Sequence, residues 1–164
     1  MSRALIQIAA AAALLVLLWR AFRLAMGLRA ARVHREEQRR AEEAKGRRVV
    51  AEIASRDGDM FLFLEAAEAF AWRDRRVEKA DVVGCRLLLN GAMMAQTALP
   101  GTLLPEPAPP EEMEGRERWD VRLYVRDGQS WDVPCGTLRE GVSRDAARAV
   151  YEAAAAFLRS TPST

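Results

Sequence analysis

From Ala4 to Trp19 a single polar residue, Gln7, interrupts an apolar run, whereas from Arg35 to Arg48 no large apolar side chain occurs at all. This change of pattern divides the chain into an anchor over 1–30, a charged juxtamembrane helix over 31–48, a small domain over 49–160 and a tail over 161–164. The apolar run reads as a transmembrane helix. Ala4 to Trp19 rises about 24 Å against a hydrocarbon core of about 30 Å. The shortfall closes if the helix continues to Met26, with Arg20 and Arg23 reaching back to the headgroups along their aliphatic stems. Trp19, Arg20, Arg23 and Arg29 are therefore the membrane-interface residues. A cleaved export signal needs small residues before its cleavage point, and here arginines follow the run directly. A helix apolar on all sides inside a soluble domain needs apolar partners that the rest of the chain does not supply.

Beyond the run, "HREEQRRAEEAKGRR" is rich in helix formers, with Glu36 to Arg40 and Glu43 to Arg47 in the favourable i, i+4 order, and Gly46 marks its weak point. Within the domain, Phe63, Ala67, Phe70 and Val77 fall on one stripe and predict a helix from Met60 to about Arg76, capped by Asp59, although the alternating start "FLFLE" also suits a strand. A strand is expected over Val82 to Leu89, a turn at Asn90-Gly91 and a returning strand over Ala92 to Ala98. Val121, Leu123 and Val125 alternate with polar partners ahead of Asp127-Gly128, which predicts a hairpin with Tyr124 facing Trp131 across the strands. The last element, "VSRDAARAVYEAAAAFLR", reads as a helix with Ser143 as its N-cap and with Ala147, Val150, Tyr151, Ala154, Phe157 and Leu158 on one face. The fold class is α+β: one transmembrane helix, a charged helical connector and a small antiparallel sheet covered by a C-terminal helix. Five of the seven prolines lie between Pro100 and Pro110, so 99–118 is expected as an extended, mobile loop.

Charge sharpens the division. Residues 1–48 hold eleven Lys and Arg against four acids, +7, which leaves fourteen bases against nineteen acids, −5, for the rest. One base precedes the apolar run and ten follow it by Arg48, so the domain is expected in the cytoplasm of an inner or plasma membrane with the N-terminus outside. The basic excess belongs to the connector rather than to a folded face with aromatics, which argues against nucleic acid and for contact with membrane lipid.

No phosphate-binding loop, dinucleotide glycine pattern, nucleophile elbow or zinc spacing is present, and no cofactor or metal is expected. His34, the one histidine, lies among charges with no ligand-spaced companion. Asp57-Gly58-Asp59 lacks the later acidic ligands of a calcium loop. Asp120 and Asp132 flank one hairpin but read as solvated positions on a sheet. Cys85 and Cys135 read as small buried residues in a reducing compartment, a disulfide becoming an option only if the topology is reversed. The expected function is that of a non-enzymatic, single-pass accessory protein whose domain binds or helps assemble a membrane-associated protein complex, with Tyr124, Trp131, Pro107 and Pro109 as candidate partner contacts. The alternative is a lipid- or peptide-binding module, because strands followed by a covering helix is also a pleckstrin-homology-like element order.

Overall fold

The computed structural model describes residues 3–54, 60–107, 109, 117–136 and 142–161, the side chains of 3–13, 28, 30 and 31 excepted. It divides into two units, 1–44 and 45–164. The first is one continuous helix, α1 (Arg3–Ala44), and Gly46, at φ +76°, takes the left-handed conformation common just past a helix end. Leu14 to Trp19, Phe22, Leu24 and Met26 are exposed. Among the described residues no helix is long and apolar enough to cross a membrane, and the side chains of 4–13, the first part of the expected span, lie outside them. Farther along, Arg40 pairs with Glu36 at 3.4 Å as the spacing requires. Glu43 pairs with Arg39 at 2.9 Å.

The second unit is α+β, with two antiparallel sheets and a C-terminal helix. The first sheet is a meander of β1 (Arg48–Ala54), β2 (Met60–Glu65), β3 (Ala69–Trp72) and β4 (Arg75–Glu78). A 3₁₀ turn, Lys79–Asp81, leads into the second sheet: β5 (Val82–Leu89), β6 (Ala92–Ala98), β7 (Trp119–Val125) and β8 (Ser130–Gly136), in the order β6-β5-β7-β8. Helix α2 (Val142–Ser160) closes the unit.

The helix expected over Met60 to Arg76 is three strands. Phe63, Phe70 and Val77 are buried together, but as inward residues of β2, β3 and β4, Phe70 standing opposite Val77. Hairpins of this short pitch return an inward position every seven residues, which is also two turns of a helix. Phe63 stacks on Phe70 and on Trp72, each with centroids 5.7 Å apart. The β3–β4 turn is made by Arg73 at φ +52° and Asp74. Arg73 carries no turn signal in the sequence; its guanidinium lies 4.5 Å from the Phe61 ring centroid. The expected cap Asp59 and the Asp57-Gly58-Asp59 run lie outside the described residues.

The β5–β6 hairpin forms over the expected bounds, with Asn90 at φ +50° and Gly91 at φ +81°, the two left-handed residues of a type I′ turn. Helix α2 begins at Val142, so Ser143 lies in its first turn rather than at the cap, fully enclosed beside Gly136. Its expected face is the buried one: Ala147, Val150, Tyr151, Ala154 and Leu158 are covered, while Phe157 is half-buried. The helix binds both sheets. The Tyr151 and Thr97 hydroxyls share a hydrogen bond of 2.8 Å, and Phe157 meets Phe70 edge-on at 6.3 Å. Lys79 Nζ lies 5.1 Å from the Phe70 ring and 5.5 Å from the Phe157 ring and donates to Glu65 at 2.8 Å, so the one buried lysine is both paired and stacked. Ile53, Phe63, Phe70, Val82, Val121, Leu123, Val133 and Val150 fill the space between.

Candidate functional site

The β7–β8 hairpin decides where the expected contact residues point. Val125 N–H donates to Gln129 O at 3.0 Å, Gly128 N–H donates to Val125 O at 3.0 Å, and Gly128 stands at φ +84°. The loop thus has three residues, Arg126, Asp127 and Gly128, with the last in the left-handed position of a bulged hairpin, rather than the two of an Asp-Gly turn. Asp127 Oδ1 accepts from Gln129 N–H at 2.8 Å and fixes it. The extra residue moves the register by one, so Trp131 stands opposite Leu123 and Tyr124 opposite Ser130. A one-residue shift exchanges faces. The expected Tyr124–Trp131 pair does not form.

Trp131 instead turns toward the first sheet, where the Arg75 guanidinium lies 4.5 Å from its ring centroid. Between these elements is a groove of about 470 Å³. Arg76, Val77, Glu78 and Asp81 form one wall, and Val125, Arg126, Asp127 and Trp131 the other. Val77 and Val125 supply apolar surface. Arg76 is held by Glu78 at 2.8 Å, and Arg126 donates to Ala80 O at 3.4 Å, so both cations are directed along the walls. Three carboxylates against two guanidinium groups line the groove. Strand β4 is the last of its sheet, and among the described residues no strand pairs with its outer edge.

Tyr124 lies on the other face of the second sheet. Its hydroxyl accepts from Arg86 Nη1 at 2.8 Å, and Arg86 Nε donates to Gln96 Oε1 at 2.7 Å. Beside them Arg122 makes a bidentate pair with Asp132 at 2.6 Å and 2.8 Å, which holds its pKa well above the ordinary arginine value. Arg118 pairs with Asp120 at 2.7 Å. Asp120 and Asp132 are each bound to an arginine and do not converge on a common point.

Pro107 and Pro109 are exposed, as are Trp19, Arg20, Arg23 and Arg29 on α1. The loop expected to be mobile over 99–118 is docked at its start: Leu99 packs on the core, and Leu104 seats over Gly84 so closely that a Cβ there would stand 2.8 Å from both its methyl groups. Residues 108, 110 and 111–116 lie outside the described ones. His34 accepts or donates a 3.0 Å hydrogen bond with Gln38 on exposed helix surface, and among the described residues no cluster of His, Cys, Asp or Glu is arranged for a metal ion.

Cys85 and Cys135 are free and buried. Burial pushes the Cys85 thiol up to about 12 and raises Cys135 as well, so neither is a thiolate at neutral pH.

Sequence reasoning found Trp131 but not Arg75, Asp81 or Arg126, which face it from another strand, a turn and the hairpin loop; no local signal joins them. It also missed Arg86, a single charge inside the apolar run of β5. No protein-family model, curated protein or solved structure matches the chain.

Proposed function

We propose that the chain is a single-pass membrane-anchored, non-enzymatic accessory protein whose domain stands in the cytoplasm and binds a protein partner of a membrane-associated complex. The groove between β4 and the β7–β8 hairpin is the observation that carries this reading. It combines an unpaired strand edge, an aromatic anchor in Trp131 and a rim of charges, the composition of a protein-recognition surface. With Arg75 stacked on Trp131 the groove's three carboxylates are balanced by three arginines, so charge does not choose between a headgroup and a polypeptide; the unpaired edge of β4, which an extended polypeptide can pair with, sets the lipid-binding alternative second.

The anchor reading rests on the apolar run 4–19, the exposed apolar side chains from Leu14 to Met26 and the arginines after them. The basic connector is attracted to anionic lipid while the acidic domain is repelled, which presents the domain to other proteins. A photo-crosslinking residue placed at position 131 in intact cells tests the proposal. One discrete protein adduct from the membrane fraction is expected. Lipid adducts alone would favour the second reading.

A further inference from the structure

The register of β3 against β4 fixes which backbone groups of β4 are left unpaired. Only Arg73 and Asp74 separate Trp72 from its partner Arg75, so these two close a two-residue hairpin and exchange both backbone hydrogen bonds. Phe70 and Val77 repeat the exchange, and farther on Lys79 N–H donates to Glu68 O at 2.7 Å. Arg75, Val77 and Lys79 therefore bond inward to β3. Arg76 and Glu78 point their N–H and C=O groups the other way, over the outer edge, where among the described residues no strand meets them.

An edge this short holds an added strand only weakly by itself. Here the β7–β8 hairpin supplies a second surface across a groove of about 470 Å³. Val77 shares a face of β4 with Arg75, which stacks on Trp131, and Val125 lines the groove beside them. Arg76 and Glu78 lie on the opposite face, paired with each other at 2.8 Å. A strand laid on this edge places each of its side chains on the face of the β4 residue directly opposite. The residue opposite Val77 thus enters the groove toward Val125 and Trp131, and those opposite Arg76 and Glu78 lie beside these two charges.

We propose that β4 captures its partner by strand addition: an extended segment reading base, β-branched aliphatic, acid pairs antiparallel with Glu78, Val77 and Arg76 in that order. The inference rests on the partner-binding reading of the groove and assigns its mode. Antiparallel addition lets Arg76 and Glu78 each exchange both backbone bonds with one residue, and it continues the sense of every pair in the first sheet.

The test titrates the capped peptide Thr-Lys-Ile-Glu-Thr into the full-length protein in a non-ionic detergent, followed by amide NMR. Saturable shifts and slowed solvent exchange at the Arg76 and Glu78 amides are expected. Methylating the backbone nitrogen of the peptide's Lys or Glu, which faces β4, should weaken binding about tenfold, whereas methylating that of its Ile, which faces away, should leave binding nearly unchanged. Glu78 stands at φ −69°, an angle proline adopts, and follows the extended Val77. Glu78→Pro therefore deletes the outward N–H and spares the inner ladder; it should bind the peptide about tenfold more weakly than Glu78→Ala. If Glu78→Pro does not fold, the methylated peptides decide. No saturable shift at these amides, equal affinity of the methylated peptides, or tighter binding of the charge-reversed Thr-Glu-Ile-Lys-Thr overturns the proposal. Slowed exchange at the same amides without peptide, growing with protein concentration, would assign the edge to a second copy of the chain and overturn it as well. In cells, a protein adduct at position 131 that Glu78→Pro leaves at full yield would refute strand addition while partner binding stands, whereas no protein adduct from the parent would remove the reading beneath it.

Discussion

The Arg75 guanidinium stacks 4.5 Å from the Trp131 ring centroid and so ties the free edge of the first sheet to the hairpin of the second. Because the contact is near the surface, it contributes about 0.5–1 kcal/mol. Arg75→Gln should lower stability by that amount in urea unfolding of residues 45–164. Trp131→Ala should leave the domain folded while removing one wall of the groove, so loss of partner capture with a native circular dichroism spectrum is the expected combination.

Glu65 gives the domain an acid-sensitive pin. Burial alone would raise its pKa, but hydrogen bonds and charge from Lys79 and Arg48 outweigh this and hold it below the ordinary value. A folded-state pKa below the unfolded one adds stability that is present above the unfolded pKa and is lost as pH falls through the folded one. Glu65→Gln should therefore be less stable than the parent at pH 7, with the gap narrowing at a pH below the lowered folded-state pKa. A urea-midpoint difference of equal size at both pH values would contradict this role.

Much of the domain was legible in short-range chemistry. The β5–β6 hairpin followed from Asn90-Gly91, and the buried face of α2 from the spacing of Ala147 to Leu158. Of the first sheet only β2 left a trace, in the alternation of "FLFLE". Phe63, Phe70 and Val77 recur at a period that helices and short hairpins share, and the turn between β3 and β4 is made by Arg73 in a conformation that usually selects glycine or asparagine. The β7–β8 hairpin was found, but a Gly128 bulge in place of a two-residue turn exchanged the faces of Tyr124 and Trp131. The groove could not be read because its walls are nearly fifty residues apart in sequence, and nothing local links Arg76 to Arg126.

The seat of Leu104 on Gly84 makes a size-dependent contact. Gly84→Ala should cost about 1–3 kcal/mol by overpacking, since the new methyl would displace Leu104. Combining it with Leu104→Ala should recover most of the loss relative to Leu104→Ala alone. A strictly additive double-mutant cycle, measured by denaturant unfolding, would place Leu104 elsewhere.

Cys85 lies on β5 and Cys135 on β8, with β7 between them. Strands two apart are separated by about 10 Å. A disulfide needs Cα atoms within about 7 Å, so the pair cannot bridge in this fold whatever the topology. Both thiols should resist maleimide labelling in the native protein and react in denaturant. A faster-migrating, reductant-sensitive species after mild oxidation of the folded chain would be evidence against this sheet order.

Co-purification in mild detergent separates anchor from groove when three forms of the protein are compared: the parent, one in which residues 1–26 are replaced by an unrelated transmembrane helix of the same orientation, and one carrying Trp131→Ala. The same stoichiometric partner is expected with the parent and the anchor exchange, and its loss with Trp131→Ala. Loss of the partner on anchor exchange, with full retention by Trp131→Ala, would place recognition in the membrane segment and contradict a domain that binds through its groove.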